Sequence, residues 1–177
     1  MTDDAAPTAP PVRTASEEEL SQVAETLAAA FVDDPVFCWC DPEAGRRRAI
    51  LPSLFEVLVA EHLSHGGVLT TDGALAAAVW VPPGVEEDES LMAELIAISG
   101  DDAPRLVRIS ELMAERHPQE PHHYLFLLGT RPEWRSRGIG SALMRPVLEG
   151  CDRDGVPADL EATSERNRGL YERHGPW

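Results

Sequence analysis

The apolar positions of this chain recur with two periods, and the switches between them divide it into elements. Val12–Thr14 reads as a short strand. Ser16-Glu17-Glu18-Glu19 then sets a hydroxyl three residues before a Glu, the reciprocal cap that satisfies the first amides of a helix. Leu20, Val23, Ala24, Leu27, Ala30 and Phe31 follow on one helical face, and Asp33-Asp34-Pro35 stops it. A second helical stretch over about 43–65 carries Ile50, Leu51, Leu54, Val57, Leu58 and Leu63, with Pro52 either kinking it or lying near its first turn.

After Gly66-Gly67 the pattern changes, and residues 68–71 and 74–81 read as a hairpin turned tightly by Asp72-Gly73. Helical stretches are expected near 88–99 and 103–115. The most apolar run, Tyr124-Leu125-Phe126-Leu127-Leu128, reads as a central strand covered on both faces. Helix, strand and helix follow over 139–154, 158–163 and 165–174. Residues 1–10, acidic and rich in proline, are expected to be a disordered tail, and 11–177 to form a single α/β (α+β) domain.

Charge adds a constraint. The 177 residues carry a formal net charge of −16, and all 15 bases are Arg. A protein this acidic is a poor candidate for nucleic acid or an anionic membrane surface, so neither is an expected partner. No apolar run reaches the length of a membrane span. Cys38, Cys40 and Cys151 form no disulfide framework, which points to a reducing, cytoplasmic compartment and to buried or half-buried thiols. No metal site is expected: Cys38-x-Cys40 has no second pair, and His62 and His65 read as exposed helix residues without a third ligand.

The acidity has one gap. Residues 131–145 hold four Arg and one Glu, net +3, around Arg135-Ser136-Arg137-Gly138-Ile139-Gly140-Ser141. This loop stands between a buried strand and a helix. Its glycines allow a tight turn and a close approach, and the amides of a helix start favour an anion, so a diphosphate is the ligand it would select. It is neither a dinucleotide fingerprint, having two glycines only, nor a Walker loop, which requires Lys.

Pro132-x-x-Arg135-x-x-Gly138-Ile139-Gly140-x-x-Leu143-Met144 is followed by Leu160-Glu161-Ala162-Thr163 and then Asn167-x-x-Leu170-Tyr171-Glu172-Arg173-His174-Gly175. This series resembles the GNAT family of acyl-CoA N-acetyltransferases. The N-terminal helix, the hairpin ending and Glu120-Pro121 look like the puromycin N-acetyltransferase branch of that family, so the resemblance spans about residues 11–175. It implies a mixed, mainly antiparallel twisted sheet flanked by helices, and acetyl-CoA as co-substrate. It implies that the backbone amides of Arg135, Ser136, Arg137, Gly138, Ile139, Gly140 and Ser141 hold the pyrophosphate. The backbone of Leu128, Gly129 and Thr130 would pair with the pantetheine, Asn167 would contact the cofactor, and Tyr171 would protonate or hydrogen-bond the departing sulfur. The acceptor it implies is a primary amine of a small molecule, an aminonucleoside antibiotic among them. Alternatives are another amine, a protein N-terminus, or a non-catalytic acyl-CoA-binding module.

An amine that attacks a thioester must first be neutral. Glu161, acting directly or through water, is the chosen base, with Glu120, His122, His123 and Tyr124 as the other groups within reach of the strand pair. The family continues past Tyr-Glu-Arg-His-Gly into two further strands where this chain reads Gly175-Pro176-Trp177. A missing C-terminal strand pair is therefore expected, with the edge either exposed or filled by another chain, as in a homodimer.

Overall fold

The computed structural model describes residues 9–85, 88 and 90–175. The tail over 1–8, Glu86, Glu87 and Glu89 of the acidic loop, and Pro176 and Trp177 lie outside the described residues. Five strands form one sheet in the order β1 (Val12–Thr14), β2 (Val68–Thr71), β3 (Ala76–Val81), β4 (His123–Thr130) and β5 (Ala158–Asp159). The first three pairings are antiparallel and the last is parallel. Helices α1 (Leu20–Phe31), α2 (Pro35–Cys40), α3 (Ala44–Leu63), α4 (Leu91–Ser99), α5 (Ala103–Ala114), α6 (Ile139–Asp154) and α7 (Glu165–Tyr171) make up the rest. This is the mixed, mainly antiparallel α/β architecture expected.

The first three helices start where a side chain can answer their orphan amides. Ser16 and Glu19 form the reciprocal box on a 3-10 turn ahead of α1. Asp34 accepts from the Val36 amide and Pro35 opens α2; Glu43 accepts from the amides of Gly45 and Arg46 at the start of α3. Pro52 lies inside α3. The helix expected at 88–99 begins at Leu91, after a turn in which Asp88 accepts from the Ser90 amide through Oδ1 and from the Leu91 amide through its carbonyl.

Two clusters cover the two sheet faces. On one, α1 and α3 bring Val23, Leu27, Leu51, Phe55 and Val59 against Val68, Val79 and Leu127. Phe31, Phe37 and Phe55 meet there as a triangle, with ring centroids 5.3–5.5 Å apart. On the other face, Ile139, Leu143 and Met144 of α6 pack on Ala76, Ala78, Trp80 and Leu125. The central-strand reading of β4 holds, with one addition. Val79 pairs with Leu127 but Trp80 pairs with Leu125, so Phe126 is an extra residue, a β-bulge. Phe126 and Leu127 consequently pack on the same cluster, while Leu125 and Leu128 pack on the other.

Three expectations change. The hairpin turn is longer than Asp72-Gly73: Gly73 and Ala74 both have positive φ, 71° and 46°, and β3 starts only at Ala76. The Thr26 hydroxyl donates to the Ala74 carbonyl at 2.6 Å, tying this turn to α1. The strand expected over 158–163 pairs only at Ala158 and Asp159, because β4 and the following chain diverge beyond Tyr124. His62 is not exposed: at 1% accessibility it continues the buried stripe of Leu51, Leu54, Phe55, Leu58 and Val59, and its ring meets Phe126 edge-on, whereas His65 is exposed.

His62 Nε2 has no hydrogen-bond partner among the described residues, and burial holds the imidazole below its usual pKa of 6.5. The unfolded chain thus gains a proton near pH 6.5 that the folded chain refuses. This contribution to stability is full above that pH and is lost as pH falls. Between about pH 7 and about pH 5 the melting temperature of His62→Phe should fall less than that of the wild type, as read by circular dichroism.

Candidate active site

The divergence of β4 and β5 makes the site. They pair at His123 with Ala158 and at Tyr124 with Asp159, and then the backbone over 160–164 leaves the sheet. This second wall is pinned to the first half of the chain: the Thr163 hydroxyl donates to Asp34 Oδ2 at 2.5 Å, and Asn167 Nδ2 donates to Thr163 Oγ1 at 3.2 Å. Ser164 caps α7 through the Asn167 amide. The resulting wedge opens into a cleft of about 410 Å³. Leu128, Gly129 and Thr130 form one wall, the loop running into α6 the floor, and Asn167 and Tyr171 the opposite wall.

Gly129 sets how closely α1 approaches this wall. A Cβ there would lie 2.9 Å from both Ala30 Cβ and Leu27 Cδ2, too near for either to stay in place. Ala30 and Phe31, at the end of α1, line the cleft for that reason.

In the loop, Ser136 and Gly138 have φ of 61° and 75°, and Gly138 caps α6 without a side chain. The first bond of the helix runs from the Ala142 amide to the Gly138 carbonyl at 3.0 Å, so the amides of Ile139, Gly140 and Ser141 precede the helical ladder. A Cβ on Gly138 would meet nothing within 4 Å, leaving the approach to those amides open. Gly140 serves packing instead. A Cβ there would stand 3.3 Å from Leu170 Cδ2, so this glycine lets α7 close on α6. Open amides at the start of a sixteen-residue helix suit a diphosphate, and the donor set fits acetyl-CoA.

The arginines of the loop divide. Arg135 lines the cleft and donates from Nη2 to the Ala30 carbonyl at 2.8 Å, placing a cation at the C-terminal end of α1. Arg137, grouped with the cofactor ligands in the sequence, lies outside the cleft lining: its guanidinium sits 4.6 Å from the centre of the Trp134 ring and bonds the Glu133 carbonyl. Ser141 Oγ lies 2.9 Å from His174 Nε2, fastening the end of the chain to the start of α6.

Tyr171 faces the cleft from α7. Burial first, and the charge of Asp34 second, raise its phenol above the usual 10. Glu161 is not part of the cleft lining. It lies two residues beyond β5, exposed, and accepts from the Tyr124 hydroxyl at 2.5 Å. Among the other base candidates, Glu120 is exposed, and its carbonyl lies 2.8 Å from His122 Nδ1, which donates to it. His123 is held below its usual pKa by burial. Sequence reasoning missed Asp34, read only as a helix stop, together with Arg166 and Arg173 in the cleft. An Asp before Pro at the start of an apolar hexapeptide was the available signal for a cap at Asp34.

The family model of the acetyltransferase (GNAT) family matches residues 56–175. The chain belongs to that family. It is therefore an acyltransferase of the N-acetyltransferase type, and GNAT enzymes take acetyl-CoA as co-substrate. An uncharacterized N-acetyltransferase of Schizosaccharomyces pombe is 24% identical over 174 residues, covering 89% of this chain and 70% of its own. Among solved structures, one from Corynebacterium glutamicum, described as histone acetyltransferase HPA2 and related acetyltransferase, superposes with a TM-score of 0.71. It has 29% identity and covers 95% of this chain and 84% of its own. A Drosophila melanogaster polyamine N-acetyltransferase that forms N-acetylagmatine shares the fold, with a TM-score of 0.60, 21% identity, and 92% and 80% coverage of the two chains. Among the described residues no group of His, Cys, Asp and Glu gathers to hold a metal, and no helix is long and apolar enough to cross a membrane.

Proposed function

We propose that the chain transfers the acetyl group of acetyl-CoA directly to a primary amine of a small molecule. The observation that carries the reading is the cleft in which the β4 edge, the open amides of 139–141 and the Tyr171 phenol converge. Acetyl-CoA supplies an activated acyl thioester; the chain binds it, orients it and manages two protons. Arg135 secures the loop to α1, and Ile139, Gly140 and Ser141 offer amides to the diphosphate. Asn167, held by Thr163, orients the wall that carries Tyr171.

Tyr171 serves as a hydrogen-bond donor to the leaving sulfur. A thiol near 8.5 is already the stronger acid than a phenol near 10 by about 1.5 units, and burial widens the gap for Tyr171. Full proton transfer from phenol to thiolate is thus uphill, while donation to the developing charge costs nothing comparable. The base for the amine is Glu161, at the closed end of the wedge.

Two acceptor classes have support. The resemblance to the puromycin N-acetyltransferase branch favours an aminonucleoside antibiotic, which would make the chain a resistance enzyme. The fold shared with an agmatine N-acetyltransferase and the fly polyamine enzyme favours small cationic amines. Thiol release from acetyl-CoA over a panel containing puromycin, agmatine, polyamines and a peptide N-terminus tests the reading. Saturable release with a small amine is expected; tight CoA binding without release on any amine would overturn it. The reading places the enzyme in the cytoplasm, with a second copy as the candidate partner at the β5 edge, to be read by light scattering.

A further inference from the structure

We infer that Tyr124 and Glu161 act as one proton-accepting pair, with the Tyr124 oxygen as the atom that touches the acceptor amine. The inference rests on the acyl-transfer reading above and assigns the acceptor end of that site.

The placement comes from the strands. His123–Ala158 and Tyr124–Asp159 are the last paired positions before the wedge opens, so Tyr124 stands at its apex. Across that apex the Tyr124 hydroxyl donates to Glu161 Oε2 at 2.5 Å, linking β4 to the diverging wall 37 residues later. Tyr124 is buried and Glu161 exposed, so the pair runs from the interior to solvent. Around the phenol stand Phe126 at 5.9 Å, His117 at 4.8 Å and His122 at 6.4 Å between ring centroids, with Asp159 opposite in register. A carboxylate joined to aromatic faces suits an ammonium group. Thr130, beside the anion-binding loop, lies six residues along β4 from Tyr124, about 20 Å for an extended strand. The two ends of β4 thus separate a diphosphate end from an amine end.

A phenol that donates its proton to a carboxylate keeps lone pairs with which to accept. An incoming ammonium gives a proton to the Tyr124 oxygen while the phenol's own proton passes to Glu161, which releases it to solvent. The neutral nitrogen then forms its bond to the thioester carbonyl carbon and the carbon–sulfur bond breaks. The second proton lost from nitrogen ends on the sulfur, which leaves as a thiol. Charge and atoms balance with one proton released to solvent, and no other reactant enters.

The test compares wild type, Tyr124→Phe, Glu161→Gln and the double variant, using thiol release with the most active amine of the panel and CoA affinity by calorimetry. Each single variant should lose about 10- to 100-fold in kcat at neutral pH. The double variant should lose no more than the worse single, because the two act as a unit. At about pH 10, where an alkylamine is substantially neutral by itself, the loss should shrink below about threefold. CoA affinity should stay within about twofold throughout. The acidic limb of the wild-type pH profile should change in Glu161→Gln; a limb that persists there belongs to His117 or His122 and overturns the pairing. Tyr124→Phe at wild-type rate, additive losses, a defect constant with pH, or weakened CoA binding would each overturn it as well. Wild type that binds CoA but acetylates no amine defeats the functional reading first and the pair with it, an outcome distinct from active variants.

Discussion

Tyr171→Phe should lower the turnover number for acetyl transfer by about 10²–10⁴-fold while CoA affinity stays within about twofold. The phenol is set in the wall of the cleft by α7, whose start is capped by Ser164 and whose approach to α6 depends on Gly140. Removing one oxygen leaves the ring, and therefore the wall, in place. What is lost is the donor to the sulfur, whose charge exists only as the carbon–sulfur bond breaks. An interaction confined to that moment affects turnover and leaves the ground-state complex almost untouched. Thiol-release kinetics and calorimetry on the same preparation read both quantities. An unchanged turnover number removes Tyr171 from the chemistry.

Phe55→Ala should destabilise the fold by about 3–5 kcal/mol. Phe55 is fully buried, at 0% exposure, and its ring contacts both Phe31 at the end of α1 and Phe37 in α2. Those neighbours belong to different elements, so the cavity cannot collapse by the motion of one helix. Phe31 and the start of α2 also line the cleft. The variant should therefore weaken CoA binding as well as lower the midpoint of chemical denaturation. A denaturation midpoint within error of wild type would contradict the triangle.

The elements legible from sequence are those whose code is local. The stripe from Leu20 to Phe31, the Ser16–Glu19 cap and the apolar run Tyr124 to Leu128 are each written within a few residues, and the structure forms each element, with the bulge at Phe126 unannounced. The loop at Arg135–Ser141 was legible because glycine at positive φ is written into residue type. His62 was misread because it was paired with His65, when its true neighbours in the pattern are Leu58 and Val59, one turn earlier. Nothing in the loop's pattern told that the Arg137 guanidinium would lie over the ring of Trp134, three residues before it, at 4.6 Å. The links that close the wedge were not legible at all. Thr163 reaches Asp34 across 129 positions and Tyr124 reaches Glu161 across 37, and nothing local announces either bond. The strand over 158–163 failed for a related reason: its alternation was adequate, but a strand needs a neighbour, and β4 turns away from it after Tyr124.

The bulge at Phe126 gives β4 two opposite parities. Side chains alternate along a strand, so one surplus residue means that positions counted from the amino end and from the carboxyl end obey inverted rules. Tyr124 and Leu125 follow one rule; Leu127, Leu128 and Gly129 follow the other. Deleting Phe126 would leave Leu125 and Leu127 opposite the consecutive residues Trp80 and Val79, a regular ladder in which both halves keep their faces. What would go is the Phe126 ring, which stands between His62 and Tyr124. The two halves of the site are thus joined by a residue whose loss would cost contacts and not register.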